Sequence, residues 1–102
     1  MRVWVEPEAR KEINRLPGHV RQRIRRTIQS LSSDPYPPKS RVLTLSDETK
    51  PIAGVQICRL RIDRWRIIYA VDAPWQMVII LAVRRRPPYN YEDLADLLAS
   101  LG

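Results

Sequence analysis

The sequence predicts one α+β domain, residues 1–102, in which helices pack on a twisted antiparallel sheet. Three observations support this fold class. Two early segments carry apolar residues at helical spacing, three later segments alternate or are rich in β-branched residues, and the length of 102 residues is the usual size of one domain. Because 44% of the residues are hydrophobic, we expect a packed core despite a charged fraction of 28%. The predicted element order is β-α-α-β-β-β-α.

The first third of the chain predicts a short strand and then a helical hairpin. Residues 3–5, Val-Trp-Val, form the strand. The first helix begins at Pro7, since proline is tolerated in a first turn, and runs to Leu16, where Pro17 and Gly18 end it. The second helix covers residues 20–31, and its apolar positions form a single stripe: Val20, Ile24, Ile28 and Leu31. A tight turn between two such helices predicts that they pack side by side.

The rest of the chain predicts a sheet and a final helix. Residues 32–54 contain four prolines and predict a long connection that holds at most a short extended piece over 42–45. Three strands follow, and they are joined by short polar turns: 55–62, 65–71 and 76–83. Pro87 and Pro88 end this meander, because proline cannot donate to a strand ladder. Leucines at helical spacing predict a last helix over 91–101.

Composition narrows the function classes. A net charge of +7 and a pI near 10.3 favour an anionic partner, which can be nucleic acid, an acidic protein or a membrane surface. Cys58 is the only cysteine, so an intramolecular disulfide and a closed cysteine zinc site are excluded. His19 is the only histidine, which argues against a histidine metal site or catalytic triad. With no signal peptide or membrane span in the sequence, we expect a cytoplasmic protein without a cofactor or metal.

Arginine is concentrated in the predicted sheet. Residues 55–86 contain seven arginines and no lysine: Arg59, Arg61, Arg64, Arg66, Arg84, Arg85 and Arg86. The guanidinium group is planar, permanently charged and able to bind phosphate through two parallel hydrogen bonds. Clustering it on rigid strands therefore predicts a surface that binds an anionic polymer. The competing interpretation, strongest for Arg84 and Arg85, is that these are solvent-exposed polar ends of strands.

The segments CRLRIDRWRIIYAVD and VIILAVRRRPPYNY, in this element order, resemble the RelE/ParE superfamily of toxins from bacterial type II toxin-antitoxin systems. The matching features are Leu60-Arg61 at the end of one strand, the aromatic-Arg-apolar-apolar-Tyr run over 65–69, and the basic cluster 84–86 followed by Tyr91. The resemblance covers most of the chain. It implies a RelE-like fold and a cognate antitoxin as a protein partner.

In the ribosome-dependent ribonuclease branch, the resemblance implies cleavage of messenger RNA (mRNA) on the ribosome. There a ribose 2′-OH attacks the adjacent phosphate and leaves a cyclic phosphate, without a metal. Matching position by position implies four catalytic residues: Arg59, Arg66, Arg86 and Tyr91. Five further residues are expected to bind substrate: Arg61, Arg64, Trp65, Arg84 and Arg85. Arginine can stabilise the charge that develops on the phosphate but cannot act as a base, because its pKa lies above about 12.

Departures from the nuclease pattern leave alternatives open. Ile57 stands where that branch carries a basic residue, and the chain has no histidine near its end. The match to Tyr91 needs a one-residue gap, so Tyr89 competes with it. The arginines and Tyr91 favour a ribonuclease, whereas Ile57 favours a ParE-like, non-enzymatic inhibitor of DNA gyrase. A degenerate toxin that only binds its antitoxin is the third alternative. Tyr69 is expected to lie in the core.

Overall fold

The computed structural model describes residues 1–43, 52–85 and 94–99, and it confirms the predicted α+β fold class. The predicted order of elements is found, with one additional short strand before the meander. The elements are β1 (Arg2–Val5), α1 (Pro7–Asn14), α2 (Gly18–Ser30), β2 (Ser40–Val42), β3 (Val55–Ile62), β4 (Trp65–Asp72), β5 (Met77–Arg85) and α3 (Leu94–Ala99).

Five strands form one sheet in the order β1-β5-β4-β3-β2. The strands β3, β4 and β5 pair antiparallel, as predicted, and β2 pairs antiparallel with β3 as well. By contrast, β1 pairs parallel with β5, so that Arg2 lies opposite Met77 and Val5 opposite Ile80. Parallel pairing requires a crossover between strands, and the chain supplies it. After β1, the helical hairpin carries the chain to the opposite edge of the sheet, and the meander returns to β1.

The larger core lies between the sheet and the helical hairpin. Its buried side chains come from the two helices, from the residues directly after each of them and from one face of the strands: Ala9, Ile13, Leu16, Ile24, Ile28, Leu31, Cys58, Leu60, Ile62, Ile67, Tyr69, Val71, Val78, Ile80 and Val83. Tyr69 is fully buried, which confirms its predicted place in the core. Its hydroxyl donates a hydrogen bond of 2.6 Å to the carbonyl oxygen of Pro35. The proline-rich connection is thereby attached to the centre of the sheet.

The opposite face of the sheet, here called the outer face, is only partly covered. A smaller cluster on it contains Ile57, Ile68, Ala70, Leu81 and Ala82, and it packs against Leu98 of α3. A register shift beside Ile68 places Leu81 as an extra residue in β5, which is the pattern of a β-bulge. The end of the outer face nearest the turn between β3 and β4 carries polar residues instead, and this end holds the candidate site.

That turn is short and sharply constrained. Asp63 adopts a φ of 53°, a left-handed conformation that aspartate tolerates better than most residues. Its carboxylate forms an ion pair with Arg23 of α2. The turn predicted at Asp63-Arg64 is therefore confirmed, and it is attached to the helical hairpin. The gap between the two strands holds only these two residues, so β3 and β4 stay in register up to Ile62 and Trp65.

Replacing Gly54 with alanine is expected to lower the free energy of unfolding by about 2 kcal/mol. Gly54 has a φ of +78°, and an added Cβ would lie 2.7 Å from ring carbons of Pro74. Urea unfolding followed by circular dichroism measures the change. Gly18→Ala is the matched control, because its Cβ would have no neighbour closer than 4.0 Å. Equal stability of Gly54→Ala and the wild-type protein would contradict the described packing of Gly54 on Pro74.

Stability is expected to fall in alkaline solution. Burial raises the pKa of the Cys58 thiol to about 11 from 9.0, and burial also raises the pKa of Tyr69. The folded state therefore binds protons that the unfolded state releases, so stability is lost as the pH rises above 9. The thiol contributes roughly 2 to 3 kcal/mol to this loss. Urea unfolding from about pH 8 to 11 measures this loss of stability. In Cys58→Ala the decline should begin about one pH unit higher, because only Tyr69, with its higher ordinary pKa, then contributes to it. A flat profile would contradict the burial of both groups.

Candidate functional site

Three of the predicted arginines lie in one line across the sheet. Arg66 on β4 is directly opposite Arg61 on β3 and Arg84 on β5. Directly opposed residues share a face of the sheet, with Cβ atoms about 5 Å apart. This is the outer face, since the adjacent residues Leu60 and Ile67 pack under the helical hairpin. We call these three residues the arginine row; it spans about 10 Å from β3 to β5.

A second pair of arginines lies beside the row on the same face. Arg59 is two residues before Arg61 on β3, a distance of about 7 Å along the strand. Opposite Arg59, on β2, lies Arg41, which was not among the predicted site residues. The extended piece was expected to begin at Val42, one residue too late to include it. Alternation of side chains along β2 identifies Arg41 as a residue of the outer face. Val42 lies opposite the buried Cys58 and so faces the hairpin, which means that the preceding residue, Arg41, faces outward.

Arg66 is held in position by backbone atoms of its own turn. Its Nη1 donates hydrogen bonds of 2.9 Å to the carbonyl oxygen of Asp63 and 3.0 Å to that of Trp65. The side chain is half-buried in the middle of the row. A flexible arginine loses side-chain entropy when it binds phosphate, and these bonds have already restricted it. Arg66 is therefore the preorganised cation of the row.

Arg84, at the β5 end of the row, is paired with an acidic side chain from the first helix. Its Nε forms an ion pair with one carboxylate oxygen of Glu12, and the backbone N–H of Val83 donates to the other at 3.3 Å. Both side chains are largely shielded, with 30% and 22% of their area exposed. β1 pairs with β5 only as far as Ile80, and Glu12 accepts a hydrogen bond from the edge of β5 beyond that point. Local sequence gives no signal for Glu12, because Val83 lies 71 residues away along the chain.

The other predicted site residues are placed elsewhere or lie outside the described part. Trp65 and Arg85 are directly opposite each other, and Trp65 packs against the core under the helical hairpin, on the inner face. Arg64 is exposed in the turn. The structure therefore does not bring these three into the arginine row. Arg86, Tyr89 and Tyr91 are outside the described residues, as is part of the predicted last helix.

The outer face changes from basic to apolar along β3. Arg61 is exposed, Arg59 is half-buried, and Ile57 is 3% exposed. Ile57 packs in the cluster that contains Ile68 of β4 and Leu98 of α3. The position where the nuclease branch has a basic residue is thus occupied by a buried member of an apolar cluster. The cationic surface consequently ends at Arg59 on this strand.

The described ranges hold no group of three or more His, Cys, Asp or Glu side chains arranged to bind a metal ion. The acidic side chains near the site form ion pairs with arginine, Glu12 with Arg84 and Asp63 with Arg23. Within the same ranges, no helix is both long and apolar enough to cross a membrane. The arginine row supplies cations that can bind and stabilise negative charge.

Several solved toxins share this fold. The RelE–RelB complex from the archaeon Pyrococcus horikoshii OT3 superimposes with a TM-score of 0.72, at 21% identity over 86% of this chain and 97% of that chain. The toxin-antitoxin complex RelBE2 from Mycobacterium tuberculosis gives 0.66, at 23% identity over 83% and 96%. The isolated RelE toxin of E. coli gives 0.60, at 15% identity over 99% and 98%.

Comparison at the level of sequence gives a family assignment. The search of curated proteins returned no match. Residues 3–87, however, match the family described as the ParE toxin of type II toxin-antitoxin system, parDE. The matched range contains every strand of the sheet except the first residue of β1, and it includes the whole arginine row. The chain therefore belongs to the ParE toxin family, within the RelE/ParE superfamily of type II toxin-antitoxin toxins.

Proposed function

We propose that this toxin is a ribosome-dependent mRNA endoribonuclease that inhibits translation. The observation that supports it is the arginine row, Arg61, Arg66 and Arg84, on adjacent strands of the outer face. Like charges placed directly opposite each other destabilise a sheet. Such an arrangement is favourable when a polyanion neutralises it, and the phosphodiester backbone of RNA is a polyanion.

In the proposed reaction, the 2′-oxygen of one ribose attacks the adjacent phosphorus and the bond from phosphorus to the 5′-oxygen breaks. The products are a 2′,3′-cyclic phosphate and a free 5′-OH. Negative charge grows on the non-bridging oxygens as the new bond forms, so cations that contact those oxygens stabilise the transition state. Arg66 has this role, with Arg61 and Arg84 on either side of it. No metal is assigned to the reaction.

The proton transfers require other groups. The 2′-OH must lose a proton and the leaving 5′-oxygen must gain one, and arginine cannot exchange protons near neutral pH. Tyr91 is the proposed participant, through its match to the tyrosine of the nuclease branch, and Tyr89 is its competitor. Arg86 and Arg59 complete the proposed catalytic set. Arg64, Trp65 and Arg85 are proposed to contact more distant parts of the substrate.

A cognate antitoxin is the proposed protein partner, in the cytoplasm. The solved structure from Mycobacterium tuberculosis is a toxin-antitoxin complex, and the one from Pyrococcus horikoshii is a complex of RelE with RelB. With a net charge of +7, this toxin is complementary to an acidic antitoxin segment that covers the arginine row. The antitoxin would then neutralise the toxin by occupying the surface that binds RNA.

Primer extension on a defined mRNA in a reconstituted translation system tests the proposal. The wild-type toxin should cleave the message only when ribosomes are present. Tyr91→Phe should reduce cleavage, with Tyr89→Phe as the matched control; reduction only in Tyr89→Phe would transfer the role to that residue. Absence of cleavage at every toxin concentration would overturn the nuclease proposal.

Inhibition of DNA gyrase is the second candidate function, and burial of Ile57 in the apolar cluster of the outer face supports it. A surface whose basic part ends at Arg59 lacks one cation of the nuclease pattern. A gyrase supercoiling assay with the same preparations separates the two functions. Inhibition of supercoiling without mRNA cleavage would establish the second. Inactivity in both assays, with tight antitoxin binding, would identify a degenerate toxin.

A further inference from the structure

Arg41 on the outer face lies next to the proposed cleavage site and has no function assigned to it above. Arg41 on β2 is directly opposite Arg59 on β3, and both lie on the outer face. We propose that this pair binds the phosphate next to the scissile one, so that the two groups of arginines hold successive phosphates of one strand. The inference deepens the proposed function and rests on it for the identity of the polymer as RNA.

The spacing of the two groups favours this assignment. Arg59 and Arg61 are two residues apart on β3, which separates the pair from the arginine row by about 7 Å along the strand. Neighbouring phosphates of an extended single strand have a comparable separation. With the scissile phosphate between Arg61 and Arg66, a polynucleotide that runs along β3 would therefore place the next phosphate at the pair. Strands are rigid supports, so the two positions keep a fixed separation.

The electrostatics of the pair also favour an external anion. Arg41 is exposed and Arg59 is half-buried, at the edge of the sheet that β2 forms. Among the described residues, neither guanidinium has a carboxylate in an ion pair with it. Arg84 and Arg23 differ in this respect, because they are paired with Glu12 and Asp63. Two directly opposed cations repel each other, and a phosphate between them removes that repulsion.

Continuity with the arginine row decides between a polynucleotide and an acidic protein as the ligand. Arg59 is opposite Arg41 in the pair, it is itself in the proposed catalytic set, and its neighbour on the same strand is Arg61 of the arginine row. A single ligand that contacts first the arginine row and then the pair needs negative charges at regular intervals. The phosphodiester backbone meets this requirement regardless of sequence, whereas a peptide meets it only with regularly placed acidic residues.

Salt-dependent binding of an oligonucleotide tests the inference. The probe is a fluorescent, fully 2′-O-methylated single-stranded RNA, which lacks the nucleophile and so cannot be cut. For single strands, each phosphate contact contributes roughly 0.7 to the slope of log affinity against log salt concentration. We expect Arg41→Gln to reduce the slope by about that amount. Between about 50 and 200 mM salt, the variant should therefore lose about 2.6-fold less affinity than the wild-type protein.

Two further variants make the test specific. Arg41→Lys keeps the charge and should keep the wild-type slope. Arg10→Gln removes an exposed arginine from α1, which packs on the inner face, and should also leave the slope unchanged. Unfolding in urea verifies that each variant is folded. An unchanged slope in Arg41→Gln would overturn the inference, as would failure of the wild-type protein to bind the oligonucleotide at low salt.

The probe also separates this inference from the proposed function. A reduced slope in Arg41→Gln together with absence of mRNA cleavage would support the phosphate site and overturn only the nuclease assignment. The opposite result, ribosome-dependent cleavage with no effect of Arg41 on the slope, would overturn the phosphate site alone. Weaker binding of the acidic antitoxin to Arg41→Gln, with oligonucleotide binding intact, would assign Arg41 to the protein partner and overturn the inference.

Discussion

Replacement of Arg66 with alanine should lower ribosome-dependent mRNA cleavage by about 10²- to 10³-fold. This is the loss typical of removing one preorganised donor that stabilises negative charge in a transition state. Arg66 is the central member of the arginine row, and its hydrogen bonds to the carbonyl oxygens of Asp63 and Trp65 fix its orientation before substrate binds. A time course of primer extension with limiting toxin measures the ratio of the cleavage rates of the wild-type protein and Arg66→Ala.

The same hydrogen bonds mean that Arg66→Ala can affect stability as well as catalysis. Arg66→Lys keeps the positive charge but loses the planar fork, so its cleavage rate should lie between those of the wild-type protein and Arg66→Ala. Arg10→Ala, on α1, should cleave at the wild-type rate. Urea unfolding of all variants separates folding defects from chemistry. Full activity of a folded Arg66→Ala protein would show that this arginine has no part in catalysis.

Substitution of Ile57 by lysine should destabilise the fold by about 3 kcal/mol or more at neutral pH, because it places a cation in an apolar contact. Ile57 is 3% exposed and belongs to the apolar cluster on the outer face that also contains Leu98 of α3. Burial lowers the pKa of such a lysine in the folded state below its value in the unfolded chain. The unfolded state then binds more protons, so the stability of the variant should rise with pH between these two pKa values. Urea unfolding at about pH 6 and pH 9 measures the change.

Ile57→Met is the matched control, because it keeps volume and apolarity and should cost less than about 1.5 kcal/mol. The alkaline decline expected from Cys58 and Tyr69 has the opposite sign, so both proteins should be compared with the wild type at the same pH. A lysine variant as stable as the wild type at both pH values would mean that Ile57 is not buried in the apolar cluster. An accompanying increase in mRNA cleavage would indicate that the face readily accepts the cation of the nuclease pattern.

The meander could be predicted closely from the sequence because its signals are local. Alternation along residues 55–62 identified β3 with the bounds that the structure has, and it separated the side chains that face the hairpin from those that face outward. The adjacent turn at Asp63-Arg64 followed from two polar residues between apolar strands. On β5 the prediction ended at Val83, two residues early. Arg84 and Arg85 continue the ladder because they pair with Arg66 and Trp65.

The parts that were missed depend on contacts between distant residues. Nothing near Glu12 indicates that its carboxylate reaches Val83 and Arg84. The parallel pairing of β1 with β5 likewise depends on the path that the helical hairpin takes across the sheet. The hydrophobic periodicity of β1 itself carries no information about that path. Arg41 is an intermediate case. Its alternation is visible in the sequence, but the three-residue strand β2 is too short to be bounded without its partner β3.

The pairing of β1 with β5 has a consequence for the time at which this toxin becomes active during its own synthesis. Strand β1 is translated first, yet Arg2 pairs with Met77 and Val5 with Ile80. The helical hairpin packs on strands that are also translated later. Long-range pairing of this kind forms slowly, and only after both partners are available. A nascent chain therefore cannot complete the sheet, or align the arginine row, until β5 has left the ribosome, so the proposed active surface forms only near the end of synthesis.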